Sequence, residues 1–167
     1  MTTQSQVLAG PPGDCCLKGV KHFGNPSGEI ITIAGIQTYI SKPPPPPAKL
    51  EDGSSSEQLE DKKKIILFLA DVYGPFFINA QLLQNYYASQ GLFTISIHPI
   101  PFLLFGFSRL GFTVLGIDYF FGDPMHLHTE EGFNRDAYLA MSLQRAKNAF
   151  PAWLKEVREI YGIRYHY

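Results

Sequence analysis

The residues best placed to do chemistry follow an apolar run near the middle of the chain. Residues 65–70 are all apolar, and Asp71, Val72, Tyr73 and Gly74 come directly after them. A continuous apolar run of this length that ends at a turn is typical of a strand buried on both faces of a parallel sheet. Sites in such sheets lie just past the carboxyl ends of the strands, so Asp71 and the backbone that follows it are candidate site residues.

A second polar loop follows another apolar stretch. Residues 112–117 end at Asp118, and Asp123, His126 and His128 lie a few positions further on. Two histidines beside a carboxylate could be metal ligands, but a His-x-His pair with one acid lacks a third ligand at a useful spacing. We therefore interpret this segment as a solvated loop and predict no metal site.

The two cysteines, Cys15 and Cys16, are adjacent in the sequence. They could form a reactive or metal-binding pair, but two adjacent thiols alone make a poor site, and neighbouring cysteines rarely form a disulfide with each other. Small residues packed against the domain are the favoured interpretation. The first ten residues lack the basic and apolar regions of a secretory signal, so we expect a reducing, cytoplasmic location.

Composition and charge narrow the class of protein. The chain has 167 residues, which predicts one domain, and a net charge of −1 with Lys and Arg scattered along it. This balance gives no indication of nucleic acid or an anionic surface as a partner. Residues 92–117 are long enough to span a bilayer, but His98, Arg109, Pro99 and Pro101 make a membrane span unfavourable.

An irregular arm and a hairpin are predicted at the start of the chain. Residues 1–28 are rich in Gly, Pro and Ser, which indicates an arm without regular structure. The imperfect alternation of residues 29–40 predicts a two-stranded hairpin that turns at Ala34 and Gly35. This hairpin should form the antiparallel edge of the sheet.

A Pro/Ser-rich loop is predicted at residues 41–62. Its run of prolines begins at Pro43 and ends at Pro47, and such runs favour the polyproline II conformation. The run could bind an SH3 or WW domain as a partner, or it could be a variable surface loop between two strands. The sequence leaves both interpretations open.

The apolar strand should be followed by a helix. Asn79 is predicted as its N-cap, and the helix should run to about Gln90 with Gly91 as its stop. One face carries the side chains of Leu82, Leu83, Tyr86 and Tyr87. Strand, loop and helix in this order are the first half of a βαβ unit, and residues 92–97 or 112–117 could be the returning strand.

The last third of the chain predicts two helices separated by a proline. The first covers residues 135–149, and Pro151 opens the second. The second helix has an apolar stripe that we expect to be buried, formed by Trp153, Leu154, Val157, Ile160 and Tyr161. Gly162 should end it, and residues 163–167 are predicted to open a third parallel strand.

Two stretches of the sequence are specific enough to indicate a family. They are Leu-Ala-Asp-Val-Tyr-Gly at residues 69–74, followed by Asn-Ala-Gln at 79–81, and Ile-Asp-Tyr-Phe-Phe-Gly-Asp-Pro at 117–124. Weaker matches are Pro-Gly-Asp-Cys-Cys at residues 12–16, the segment from Gly28 to Tyr39, and Trp153. With these motifs the chain resembles the dienelactone hydrolase family of α/β-hydrolases, in particular its fungal members, over most of residues 11–165.

The resemblance implies both a fold and an activity. The fold is a three-layer α/β/α sandwich with a mostly parallel sheet and an N-terminal antiparallel hairpin. The activity is hydrolysis of small-molecule esters or lactones by a Cys-His-Asp triad, without a metal or organic cofactor. By position, Asp71 corresponds to the family's acidic residue that contacts the nucleophile. Val72 corresponds to the residue whose backbone N–H helps to form the oxyanion hole.

The sequence departs from the family pattern in two places. The family nucleophile lies in a Gly-x-Cys-x-Gly elbow, and these residues contain no such sequence, so no residue is assigned to the triad. Residues 92–111 are an atypical insertion relative to the family, for which we hypothesise a translated intron. We therefore interpret residues 29–167 as the N-terminal part of an α/β-hydrolase domain that is truncated at its C-terminus.

Three functions remain open on the sequence alone. The first is the ester or lactone hydrolase that the resemblance implies. The second is a catalytically inactive fragment or isoform, which the missing elbow indicates. The third is a binding or membrane-associated module, built on the proline run and on the apolar residues 92–117.

Overall fold

Six strands and two helices form the part of the chain that the structure describes, a computed structural model of residues 19–45, 64–90, 92–95 and 107–163. The strands are β1 (Glu29–Ile33), β2 (Ile36–Ser41), β3 (Lys64–Phe68), β4 (Leu92–Ile95), β5 (Phe107–Leu110) and β6 (Phe112–Ile117). The helices are α1 (Ile78–Ser89) and α2 (Arg135–Tyr161), and a short 3₁₀ turn covers Met125–Leu127. Cys15, Cys16, Gly91 and most of the Pro/Ser-rich loop lie outside the described residues.

The main sheet has four strands in the order β1-β2-β6-β3. β3 and β6 are parallel, whereas β1–β2 and β2–β6 are antiparallel. The α/β class is therefore confirmed, but the described sheet is mixed rather than mostly parallel. The reason is that the N-terminal hairpin supplies half of its strands.

The hairpin turns where the sequence predicted. Ala34 has a φ of 50° and Gly35 a φ of 75°. Two consecutive residues with positive φ match the right-handed twist of the strands on either side, and glycine tolerates this conformation without strain. β1 lies at the edge of the sheet and β2 pairs with β6, so the hairpin is the predicted antiparallel edge.

Both candidate strands after α1 form, but only the second enters the main sheet. β6 pairs with β3, with Ile66 opposite Val114 and Leu67 opposite Leu115. β4 instead pairs with β5 in a separate two-stranded ribbon. The unit β3–α1–β6 is thus the predicted βαβ unit, and the ribbon falls within the residues 92–111 that were predicted to be an insertion.

The two helices cover opposite faces of the sheet. Trp153 of α2 donates a hydrogen bond from Nε1 to Thr38 Oγ1 at 2.8 Å. On α1, the Asn85 amide lies 2.9 Å from the hydroxyl of Tyr39, the next residue along β2. Because successive strand residues point to opposite faces, α1 and α2 enclose the sheet in three layers.

The packing of α1 differs from the prediction. Asn79 is not the N-cap; the helix begins at Ile78 after Phe77, and the Asn79 side chain binds the N-terminal arm instead. The buried residues are Gln84 and Ala88, whereas Leu83, Tyr86 and Tyr87 are exposed. Gly116 makes room for Gln84, because a Cβ at this position would lie 2.2 Å from Gln84 Oε1.

The predicted break at Pro151 does not occur, and α2 is one continuous helix. Pro151 cannot donate the hydrogen bond of an interior helical residue. Ala149 on one side of it and Trp153 and Val157 on the other are buried in the same core cluster, and this packing keeps the two halves in line. Gly162 ends the helix in the left-handed conformation, as predicted.

A helix that crosses a bilayer must be both long and apolar. Neither α1 nor α2 combines the length and the apolar composition that a bilayer-spanning helix requires. Residues 96–106, the middle of the apolar stretch that raised this question, lie outside the described part of the chain.

The core placement of α2 can be tested by two substitutions on that helix. We expect Trp153→Ala to lower the free energy of unfolding by about 3–5 kcal/mol, because it empties a fully buried site and removes the bond to Thr38. Ile160→Ala should change it by less than about 0.5 kcal/mol, because that side chain is 53% exposed. Urea titration followed by circular dichroism measures both values, and equal losses would contradict this placement of the core.

Candidate functional site

A tight turn follows β3 and displays the first candidate residues. The Gly74 N–H donates to the Asp71 carbonyl at 3.0 Å, and the Tyr73 N–H donates to Asp71 Oδ1 at 2.9 Å. Asp71 is exposed, and its carboxylate therefore both shapes the turn and faces outward. Gly74 has a φ of 79° and is buried against Pro124, which suits a residue without a side chain.

Val72 occupies the second position of this turn. The hydrogen bond that closes a β-turn uses the N–H of the fourth residue, so this bond does not engage the Val72 N–H. Its carbonyl is held from the other side, because it accepts a hydrogen bond from the Met125 N–H at 2.9 Å. Val72 also lines a cavity of about 480 Å³, together with Met125, Phe133, Asn134, Arg135, Asp136 and Leu139.

Asp118 organises the second loop, which follows β6. This residue is buried; its Oδ2 accepts from the Gly122 N–H at 2.7 Å and its Oδ1 from the Phe120 N–H at 3.2 Å. Burial raises the pKa of Asp118, and the backbone donors offset part of that rise. Phe121 has a φ of 56°, a backbone conformation that residues other than glycine rarely adopt. The bonds to the Asp118 carboxylate hold the loop in this conformation.

Tyr119 connects the two loops. Its hydroxyl donates a hydrogen bond to the carbonyl of Ala70, the residue before Asp71. Burial, with the negative charges of Asp71 and Asp118, raises the pKa of Tyr119 to about 12. The phenol therefore stays protonated at neutral pH and remains a donor. Nothing in the local sequence pattern distinguishes Tyr119 from a packing residue, and its role appears only when β3 and β6 are paired.

The two histidines of the second loop point to different partners. His128 Nε2 lies 2.8 Å from Asp123 Oδ1, and the ring stacks on Phe133. The His126 ring stacks on Tyr73 with a centroid distance of 5.4 Å. Neither side chain is simply solvated, which corrects the prediction of a solvated loop. Within the described ranges, no three His, Cys, Asp or Glu side chains are grouped so that they could share a metal ion.

The structure thus brings together Asp71, Val72 and the loop after Asp118 at one edge of the sheet. The sheet is mixed, has a helix on each face, and carries polar loops at the carboxyl ends of its parallel pair. This arrangement defines an α/β protein with a candidate site at the ends of its strands. The two cysteines cannot be placed relative to this edge, because they lie outside the described residues.

Several proteins with assigned names are similar in sequence to this chain. The chain is 30% identical over 161 residues to "Dienlactone hydrolase 2" of Gibberella moniliformis, covering 93% of this chain and 54% of that protein. It is 32% identical over 162 residues to "Dienlactone hydrolase 1" of the same organism, covering 93% of this chain and 49% of that protein. "Hydrolase pyvD" of Aspergillus violaceofuscus is 26% identical over 153 residues, 91% of this chain and 49% of that protein.

These similarities identify the family relationship. The chain is related to the dienelactone hydrolases, a family of hydrolases, which confirms the resemblance that the motifs indicated. It spans about half the length of the curated relatives it matches. No family model matches the chain, and no solved structure matches it.

The pH dependence of stability tests the burial of Asp118. Because its pKa is raised from the ordinary 3.8, the folded protein holds this proton more tightly than the unfolded chain does. The free energy of unfolding should therefore contain a term that falls as the pH rises from about 4 through the folded-state pKa. Asp118→Asn should remove this term, whereas Asp136→Asn, at an exposed position in the first turn of α2, should retain it.

Urea unfolding at a series of pH values between about 3.5 and about 6 measures this term. The comparison is between the slopes of the parent and the two variants, so the shared titration of other carboxyl groups cancels. The same slope in Asp118→Asn as in the parent would show that Asp118 titrates as it does in the unfolded chain.

Proposed function

We propose that these residues form one half of an ester or lactone hydrolase of the dienelactone hydrolase type. Asp71 is the acid that contacts the nucleophile, and the Val72 N–H is one donor of the oxyanion hole. The observation that carries the proposal is the turn after β3. Its closing bond, from the Gly74 N–H to the Asp71 carbonyl at 3.0 Å, fixes the peptide unit that carries the Val72 N–H without using that N–H, and the Met125 N–H holds the Val72 carbonyl at 2.9 Å.

The chemistry follows from where charge develops. When a thiolate attacks an ester carbonyl, the carbonyl oxygen becomes an oxyanion and needs donors that are already in place. The Val72 N–H shares its peptide unit with the Asp71 carbonyl, which the Gly74 N–H holds at 3.0 Å, so it needs little reorganisation to act as one. The alkoxide then leaves with a proton, and water releases the acid from the thioester. A cytoplasmic location and an SH3 or WW partner at the prolines remain expectations from the sequence.

We also propose that these 167 residues do not hydrolyse esters by themselves. The proposed half-site contains an acid and an oxyanion donor, and the sequence contains no Gly-x-Cys-x-Gly elbow to supply the thiolate. The inactive form and the family activity are therefore compatible, because they describe different lengths of polypeptide. No contact among the described residues favours the third possibility, a membrane-associated module.

A chimaera tests the Val72 amide. In it, this chain replaces the aligned part of Dienlactone hydrolase 2, and hydrolysis of p-nitrophenyl acetate is measured. Val72→Pro should lower kcat by about 10²–10³-fold, because it removes the N–H at a turn position that accepts proline. Val72→Ala keeps the N–H and should retain most of the activity. Equal rates in the two variants would exclude the oxyanion role, and an inactive parent chimaera would contradict the hydrolase proposal.

The isolated chain makes the complementary prediction. The purified 167-residue protein should hydrolyse p-nitrophenyl acetate no faster than its Cys15→Ser/Cys16→Ser double variant, since those thiols do not occupy an elbow. The rate is followed by release of p-nitrophenolate. Turnover that disappears in the double variant would show that the N-terminal cysteines supply the nucleophile and that the chain acts alone.

A further inference from the structure

One residue fastens the loop after β6 to helix α2. The Asp123 carboxylate meets His128 Nε2 at 2.8 Å and accepts from Arg145 Nη1 at 3.2 Å. Its backbone carbonyl accepts from the Tyr138 hydroxyl at 2.6 Å, and its N–H donates to the Phe120 carbonyl at 3.2 Å. We call the side chains of Asp123, His128, Glu130 and Arg145 the Asp123 cluster.

The geometry of His128 favours a protonated ring. Nε2 faces Asp123 Oδ1 at 2.8 Å, and Nδ1 faces Glu130 Oε1 at 3.2 Å. A neutral imidazole has one N–H, so one nitrogen would turn its lone pair toward a carboxylate oxygen. Only the imidazolium donates to both acids. The neutral form therefore loses one of the two bonds and gains a repulsion in its place.

The surroundings of His128 shift the pKa of its ring in opposite directions. Desolvation lowers the pKa of the ring, but the hydrogen bonds and charges of Glu130 and Asp123 outweigh it and leave the pKa above 6.5. Arg145 of α2 also binds Asp123, and its positive charge opposes protonation of His128. Tyr138, on the same helix, faces the His128 ring with a centroid distance of 5.2 Å. Burial raises the pKa of Tyr138, so the phenol stays neutral.

Two paths lead from the Asp123 cluster to the candidate oxyanion donor. Two residues after Asp123, the Met125 N–H donates to the Val72 carbonyl at 2.9 Å. The His128 ring also stacks on Phe133, with centroids 4.3 Å apart and an angle of 4°. Phe133 and Met125 both line the cavity beside Val72. The ring thus supports a wall of the cavity as well as the loop that holds the Val72 carbonyl.

We propose that protonated His128 is a positioning residue, which locks the loop carrying Met125 and so fixes the carbonyl of Val72, the residue that carries the candidate oxyanion donor. Its importance for catalysis rests on the proposed function of the Val72 amide, whereas the locking of the loop does not. A group whose pKa is raised on folding contributes stability that is complete below its unfolded value and is lost as the pH rises through the folded value. The loop should therefore be locked below about pH 6.5 and loosen above the folded-state pKa.

Amide hydrogen exchange in the full chain tests the lock without requiring activity. The protection factor of the Met125 N–H, corrected for the intrinsic effect of pH, should fall about three- to tenfold between about pH 6 and about pH 9. The midpoint should coincide with the titration of the His128 ring, followed by NMR. It should lie above 6.5, which separates it from His126, whose pKa is lowered by burial and by Lys21.

Two variants complete the test. His128→Gln should show the low protection of the high-pH state at every pH, while His22→Gln, which alters an exposed ring in the N-terminal arm, should behave as the parent does. Constant Met125 protection through the His128 titration of the parent would overturn the proposal, whether or not His128→Gln folds. If the protection changes as expected but the Val72→Pro chimaera keeps its activity, the lock is real and the oxyanion assignment is wrong.

Discussion

The parallel pairing of β3 with β6 is the constraint on which the rest of the structure depends. It places Asp71 and Asp118, which are far apart in the sequence, at the same edge of the sheet. Two further contacts depend on it: the Tyr119 hydroxyl reaches the Ala70 carbonyl, and the Met125 N–H reaches Val72. A backbone donor becomes useful for catalysis only when such contacts hold it still, since preorganisation supplies most of its effect.

Polar groups in the core specify how the helices attach to the sheet. Trp153 of α2 is anchored to Thr38, and the Asn85 amide of α1 lies 2.9 Å from the Tyr39 hydroxyl and 2.8 Å from the Ser41 hydroxyl, both on β2. Burying an amide without partners would cost several kcal/mol, whereas an amide bonded in one geometry selects that geometry. Apolar packing alone would allow each helix to slide; these bonds oppose sliding on both faces.

The structural features that depend on short stretches of sequence were predicted from the sequence. The hairpin turn, the end of β6 and the stop at Gly162 all follow from backbone preferences and hydrophobic runs, whereas β3 ends at Phe68, two residues before the predicted end of the apolar run. The continuous α2 and the buried face of α1 did not follow, because packing against the sheet overrode Pro151 and Gly116 made room for Gln84. In the site, the family motif pointed to Asp71 and Val72. The contacts of Tyr119 and Met125 were not predicted because their partners, Ala70 and Val72, lie beyond the other strand. His128 was named only as a possible metal ligand, and its bonds within its own loop were not predicted.

The ribbon of β4 and β5 has a consequence for how this protein can change. Leu92, where the chain leaves α1, is paired with Leu110, where it returns to β6. The excursion therefore begins and ends at neighbouring points, and its length is independent of the β3–α1–β6 geometry. Each doubling of such a closed loop costs only about 0.6 kcal/mol of chain entropy. Evolution can lengthen, shorten or replace this segment while the loops after β3 and β6 stay where they are.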